Sequence, residues 1–294
     1  MAELHREIDA QMELGECPLW DHRHNRLYWV DILHMKLYQL DWTTGEHRQW
    51  GLPSLGGGLG LLGDDALIVA TQTGLFRFYP DTGRYEFVLN PSPGTPTHRL
   101  NEGKTDFEGN FWIGSISTLG RLPECALFRV TPSGAVTTML EGISVPNALV
   151  FDGDRRQVTF ADSAQRLIWT FSQDDNGKLA ERKILVDDRT LESIPDGAVR
   201  DSDGRLWNAK FGGARVVAYD REGLVAGAIV LPVSQVTSCA FCGPDLNYLA
   251  VTTAKRLLTD KQRQEQPRAG NLFIYSMDET GLPEPVCPSM TAAQ

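Results

Sequence analysis

The chain has 294 residues, 41% hydrophobic and 22% charged, enough to bury a substantial core and too few for many independent domains; a single repeat-built domain spanning 1–294 is expected. A formal net charge of −10 and a sequence pI near 5.1 oppose nonspecific binding to nucleic acid or anionic membrane, so any anionic ligand must be met by local basic residues. The amino terminus MAELHREIDAQMELGE lacks the apolar core of a signal peptide, and no later stretch approaches the roughly 18 apolar residues of a membrane span, so a cytoplasmic location is expected.

Six short hydrophobic segments, each running into a polar turn, are the predicted strands that set the architecture. They begin near Leu27 (LYWVDI), Leu67 (LIVATQ), Phe111 (FWIGSI), Val158 (VTFADS), Leu206 (LWNAKF) and Leu249 (LAVTTA), spaced 40, 44, 47, 48 and 43 residues apart. That period fits a four-stranded propeller blade rather than a helical solenoid. The predicted fold is therefore all-β, a six-bladed β-propeller with a central channel.

In chain order, HREIDA at 5–10 is left over ahead of blade one and is assigned to the outer strand of the last blade, where it closes the ring and covers open edges. Blade one contains the turn WDHRHN, whose His22 and His24 read as solvated. In blade two, GGGLG at 56–60 lacks the Lys-Ser/Thr of a phosphate-binding loop, and small residues facing a crowded channel explain it better. Blade three shows the whole grammar, with an inner strand, a turn at FEGN, a second strand, then LFRV and AVTTML as third and fourth strands. Turn cues recur as FDGDRR at 151–156 and DSDGR at 201–205, and a second cue closes third strands at DWTTG, YPDTG, DDNG, DREG and MDETG. In blade six, Cys239 and Cys242 form C-x-x-C, but three-residue spacing in a strand sends them to opposite faces, so buried free thiols are expected. The insertion KRLLTDKQRQEQPRAGN after the second strand of blade six has the charge of a loop or short helix.

Counting back ten or eleven residues from each strand start lands on Glu16, Gly56 or Gly57, Asn101, Asn147, Asp196 and Ser238. Radial arrangement of the repeats brings those positions to one mouth of the channel. Two carboxylates and two carboxamides meeting there make a candidate hard-cation site. Taken singly, Glu16 or Asp196 reads as a turn or cap carboxylate and Asn101 as a turn residue before Gly103; the shared phase is what turns them into a site. Loops after the second strands open at the same mouth and carry His34, Gln72, Ser115 to Thr118, Asp162, Lys210 and Thr253 as candidate rim residues. GSIS at 114–117 is not a nucleophile elbow, and no histidine follows His98, which disfavours a Ser-His hydrolase.

The chain resembles the SMP-30/gluconolactonase/LRE family from about Gly15 to Ala254. The resemblance rests on GECPLW at 15–20, RLNEGKTDFEGNFWIG at 99–114, VPNALVFDGD at 145–154, PDGAVRDSDGRLWNAKFGG at 195–213 and VTSCAFCGPDLNYLAVTTA at 236–254. It implies one divalent cation (Ca, Zn, Mg, Mn or Fe) bound by Glu16, Asn147 and Asp196, with Arg99 and Asn101 contacting substrate. It also implies a lactonase that opens a 1,4- or 1,5-aldonolactone, with Asp196 able to accept a proton from the attacking water. The expected partner is thus a small sugar lactone, with neither nucleic acid nor membrane, and the sequence assigns no oligomeric state. The contrasting reading is a noncatalytic propeller that binds calcium or a metabolite. Three departures from the family pattern stand out. N-D-G-K reads N-E-G-K with Glu102, and P-N-G reads P-N-A with Ala148. The loop ISTLGRLPE lacks a substrate-contacting glutamate found in some members, a place open to Gln72, Lys210 or another rim residue.

Overall fold

The computed structural model describes residues 2–174 and 177–291, so the DDNG turn lies partly outside the described residues. Six sheets, each with four antiparallel strands, stand around one axis as a six-bladed β-propeller, and one of them gains a fifth, parallel strand. The inner strands are Gly15–Asp21, Gly56–Leu62, His98–Thr105, Pro146–Asp152, Ile194–Arg200 and Val236–Cys242. The six predicted segments are the second strands, Arg26–Asp31, Ala66–Thr71, Phe111–Ser117, Gln157–Asp162, Leu206–Phe211 and Tyr248–Thr253.

Aspartates at strand ends explain why these segments turn where they do. Asp106 accepts from the backbone N–H of Glu108 (3.0 Å) and Asn110 (2.8 Å) and from Trp112 Nε1 (2.7 Å), which folds the FEGN turn back onto the second strand. Asp201 repeats the device with Asp203 N (3.1 Å), Arg205 N (2.8 Å) and Trp207 Nε1 (3.0 Å). At the opposite end, Asp31 accepts from Glu13 N and Leu14 N, and Asp162 from Ser144 N and Val145 N, tying each second strand to the entry of its own inner strand. Inner strands therefore start, and second strands finish, at the same mouth.

The core is divided among the blade interfaces. Among the described residues six apolar clusters occur, each drawn chiefly from two neighbouring blades. The cluster joining blades six and one packs Cys242, Ala250 and Leu272 against Met12, Trp20 and Trp29. Cys239 belongs to the interface between blades five and six instead, so the two cysteines do face opposite ways, and both are free. Ring closure follows the expected route: Glu3–Ile8 pairs antiparallel with Leu272–Ser276, and Glu7 binds Arg268 and Asn271. The insertion carries one short helix, Asp260–Glu265, started by a capping box at Thr259. Among the described residues no helix is long and apolar enough to cross a membrane.

The carboxy-terminal segment takes a course the repeat pattern does not foretell. It leaves blade six, bridges Gly281 to Asp201, and crosses the far mouth, where Glu284 pairs with Lys104 at 2.8 Å. Val286–Cys287 then adds in parallel to Leu61–Leu62 of the blade-two inner strand.

Close approach of inner strands accounts for the glycine run. A Cβ on Gly57 would lie 1.9 Å from the Leu100 carbonyl oxygen of the next blade, a backbone atom that cannot swing aside. Gly57→Ala is expected to destabilise by about 1–3 kcal/mol, as overpacking does. Gly227→Ala, which meets nothing within 4 Å on an outer strand, serves as control. Thermal unfolding checks both, and equal melting temperatures would contradict the crowding.

Candidate active site

Every inner strand carries a register shift near its mouth end: Glu16/Leu19, Gly56/Gly58, Asn101/Gly103, Asn147/Val150, Pro195/Ala198 and Val236/Ser238. Such bulges interrupt alternation and re-aim side chains. In blades one, three and four the next residue takes a left-handed φ: +53° at Cys17, +53° at Glu102 and +50° at Ala148. The last value gives a physical reason for glycine in the P-N-G pattern, since an L-residue in that region costs about 1–2 kcal/mol.

The bulged starts converge. Glu16, Asn147 and Asp196 line one cavity of about 370 Å³ together with Arg99 and Asn101. Ser163 fixes the Asn147 amide: its hydroxyl donates to Pro195 O (2.6 Å) and so must accept from Asn147 Nδ2 (2.8 Å). Asn147 Oδ1 is left buried without a hydrogen-bond partner among the described residues. Asn101 bridges blades, donating from Nδ2 to Pro146 O (2.9 Å) while Oδ1 accepts from Arg99 Nη1 (2.7 Å). Arg99 also donates to Leu100 O and, among the described residues, has no carboxylate at ion-pair distance, so it forms no salt bridge between blades.

Burial, aided by the charge of Glu102 and opposed by the Cys17 N–H and Arg99, pushes the Glu16 carboxyl up to about 8. Burial likewise raises Glu102 to about 7, opposed by Lys104 and the Leu149 N–H. Asp196 is raised by burial and then by Glu16 and Glu102. Burial lowers Arg99 to about 10, with Glu16 pulling it back. Three carboxyls thus share a buried region in which burial outweighs the opposing charges of Arg99, Lys104 and Arg121. Among the described residues no group of three or more His, Cys, Asp or Glu has a metal-holding arrangement; the donor set here is two carboxylates and the orphaned Asn147 carboxamide oxygen. That all-oxygen set fits a hard divalent cation.

The rim differs from expectation. Lys210 is corrected: it is buried, bonded through Nζ to Asp188 Oδ2 (2.5 Å) and stacked over Tyr219, so it does not face the cavity. Gln72 lies outside the cavity lining and donates to Pro96 O (3.0 Å). His34 pairs with Asp31, Asp162 is occupied by backbone N–H groups, and Thr253 donates to Asn271 O. Ser117 and Thr118 do line the cavity, whereas Ser238 lines a small void beside Cys17, Glu102 and Lys104. Sequence reasoning missed Ser163, Arg121 and Arg256 as lining residues. Ser163 was one position from the Asp162 named for the rim; Arg121 and Arg256 sit in loops, which carry no periodic signal.

A closed six-bladed ring with an oxygen-rich cavity at one mouth defines a propeller whose site sits at the start of its inner strands. Residues 14–255 match the family model described as SMP-30/Gluconolactonase/LRE-like region, and the chain belongs to this family. It is 32% identical over 286 residues to the pentonolactonase XacC of Haloferax volcanii, covering 95% of this chain and 96% of that one. It is 31% identical over 274 residues to a 6-deoxy-6-sulfogluconolactonase of Pseudomonas putida, covering 93% and 94%. The crystal structure of a calcium-binding protein, regucalcin, from Agrobacterium tumefaciens superposes with TM-score 0.91 at 28% identity, covering 96% of this chain and 97% of that one.

A carboxyl held protonated to about pH 8 in the fold, but ionising near 4.5 in the unfolded chain, gives the folded state an extra proton between those values. Its contribution to stability is full below about 4.5 and is lost as pH rises toward 8. Chelator-treated protein should therefore lose melting temperature over this window, and Glu16→Gln should flatten the loss. A pH series of thermal melts on both proteins checks this; parallel curves would refute it.

Proposed function

We propose that this protein is a sugar lactonase that hydrolyses a 1,4- or 1,5-aldonolactone to the free sugar acid, with a divalent cation held by Glu16, Asn147 and Asp196. The observation that carries the reading is the unpartnered Asn147 Oδ1, lining the same cavity as two carboxyls whose ionisation burial opposes. The chemistry supplied by such a cation is polarisation of a carbonyl and acidification of water. Asp196 accepts the proton of the attacking water as oxygen adds to the lactone carbonyl carbon. The carbonyl carbon to ring-oxygen bond then breaks, and the proton passes to the departing ring oxygen, leaving a hydroxyl and a carboxylic acid. Among the described residues Arg99 Nε and Nη2 have no protein partner, which suits paired hydrogen bonds to sugar oxygens, while Asn101 holds the Arg99 guanidinium in place. The lactonase names of relatives above 30% identity support this reading.

The calcium-binding Agrobacterium protein favours a second reading, a noncatalytic calcium- or metabolite-binding propeller. An accessible cavity of about 370 Å³ with a free guanidinium edge supports the enzyme instead. A pH-indicator assay over a panel of aldonolactones with Ca, Mg, Mn, Zn and Fe separates the two, because ring opening releases a proton.

Chelation should abolish hydrolysis and a divalent cation restore it; full activity in chelated enzyme would sink the mechanism. Asp196→Asn should lower kcat by more than the about 10²–10⁴ of a lost acid-base group, since cation binding weakens too. Arg99→Ala should lower kcat/KM by about 10-fold or more, the worth of a charge-assisted contact, with an unchanged melting temperature. A large loss of stability instead would make Arg99 structural.

A further inference from the structure

The lip of the cavity is basic although the protein as a whole is acidic. Arg121 follows the second strand of blade three and Arg256 follows that of blade six, blades that face each other across the ring, and both line the cavity. Neither guanidinium has a hydrogen-bond or ion-pair partner among the described residues. Their neighbours do: in the same insertion Arg263 binds Glu13 at 2.7 Å, and Lys255 binds Gln11. Arg121 and Arg256 are also near enough to act on the floor, Arg121 favouring ionised Asp196 and Arg256 opposing the charge of Arg99. Charge is thus layered, with carboxyls at the floor, Arg99 beside them, and two free guanidiniums above.

On the lactonase reading, the floor residues meet the carbonyl and hydroxyls of a neutral aldonolactone and leave the outer guanidiniums unused. The two outer guanidiniums are donors without acceptors, planar forks suited to a carboxylate, sulfonate or phosphate. With a net charge of −10, the protein's long-range field repels such a ligand, so selection of an anion must come from these local contacts.

We propose that the substrate is an anionic lactone, carrying a carboxylate, sulfonate or phosphate at the end remote from the lactone carbonyl, and that Arg121 and Arg256 bind this second anionic group. The proposal rests on the lactonase reading and narrows its substrate class.

The test compares the metal-supplied, full-length enzyme on glucono-lactone and on matched lactones bearing a carboxylate, a sulfonate or a phosphate at carbon six. The anionic lactones are expected to have kcat/KM at least about 10-fold higher, and the preferred one among them identifies the group. In Arg121→Gln/Arg256→Gln the anionic-to-neutral ratio should fall by about 10²-fold, the worth of two charge-assisted contacts, with partial recovery in the double Lys variant. Added salt should erode the same ratio. A neutral lactone turned over as well as the anionic ones, or a double variant that slows all lactones equally, overturns the proposal while leaving the lactonase reading intact. Binding without turnover is read by thermal shift with an aldarate dianion against an aldonate monoanion. If no lactone is hydrolysed the lactonase reading fails; a dianion preference lost in the double variant would still uphold the anion site, and equal shifts would overturn it as well.

Discussion

Closure of the ring is the constraint on which the rest depends. A blade has two apolar faces, and neither is buried until a neighbour packs on it, so six apolar clusters require six interfaces and the last must join the two ends of the chain. The strand Glu3–Ile8 does this by pairing with Leu272–Ser276 next to the cluster that unites blades six and one. Only then do Glu16 from the first blade and Asp196 from the fifth share one cavity. The site is therefore a product of tertiary closure, with no local segment able to form it.

The same closure forces charge into a small buried volume. Read from the lip inward, Arg121 and Arg256 give way to Glu16 and Asp196 beside Arg99, then to Glu102, Lys104 and finally Glu284 from the carboxy-terminal segment. Lys104 is raised in pKa despite its burial because Glu284 and Glu102 flank it. At Glu102 burial raises the carboxyl most, Lys104 opposes it, and the charge of Glu284 adds to the rise. The far-mouth segment consequently does more than cover the channel, since it adds a charge to the column beneath the site.

How far the sequence disclosed this depended on how regular each backbone stretch is. Glu16, Asn147 and Asp196 were legible because blade spacing and two-residue strand periodicity give a fixed phase, and the structure brings these residues to one cavity. Glu102 was set aside as a simple departure from the family pattern. A strict alternation sends it to the face opposite Asn101, but the bulge between Asn101 and Gly103 breaks that alternation at this very residue, and Glu102 ends up buried. Lys210 was misplaced because the strand Leu206–Phe211 continues through it and pairs it with Pro195 and Arg215, so its side chain packs within the blades. Arg121 and Arg256 lay in irregular loops, and Val286–Cys287 is too short to show a period.

The choice of a carboxamide at position 147 follows from the same electrostatics. Two ionised carboxylates balance a divalent cation, and a neutral carboxamide adds an oxygen without adding charge. Aspartate at 147 would place another anion beside Glu16 and Asp196, which burial and mutual repulsion already hold above the usual carboxylate range. Glu102 supplies negative charge one layer deeper, where Lys104 opposes it. Ser163 completes the arrangement from the other side: by taking the amide Nδ2 it obliges Asn147 to present oxygen, so the neutral ligand is oriented by a hydroxyl whose own proton is committed to Pro195.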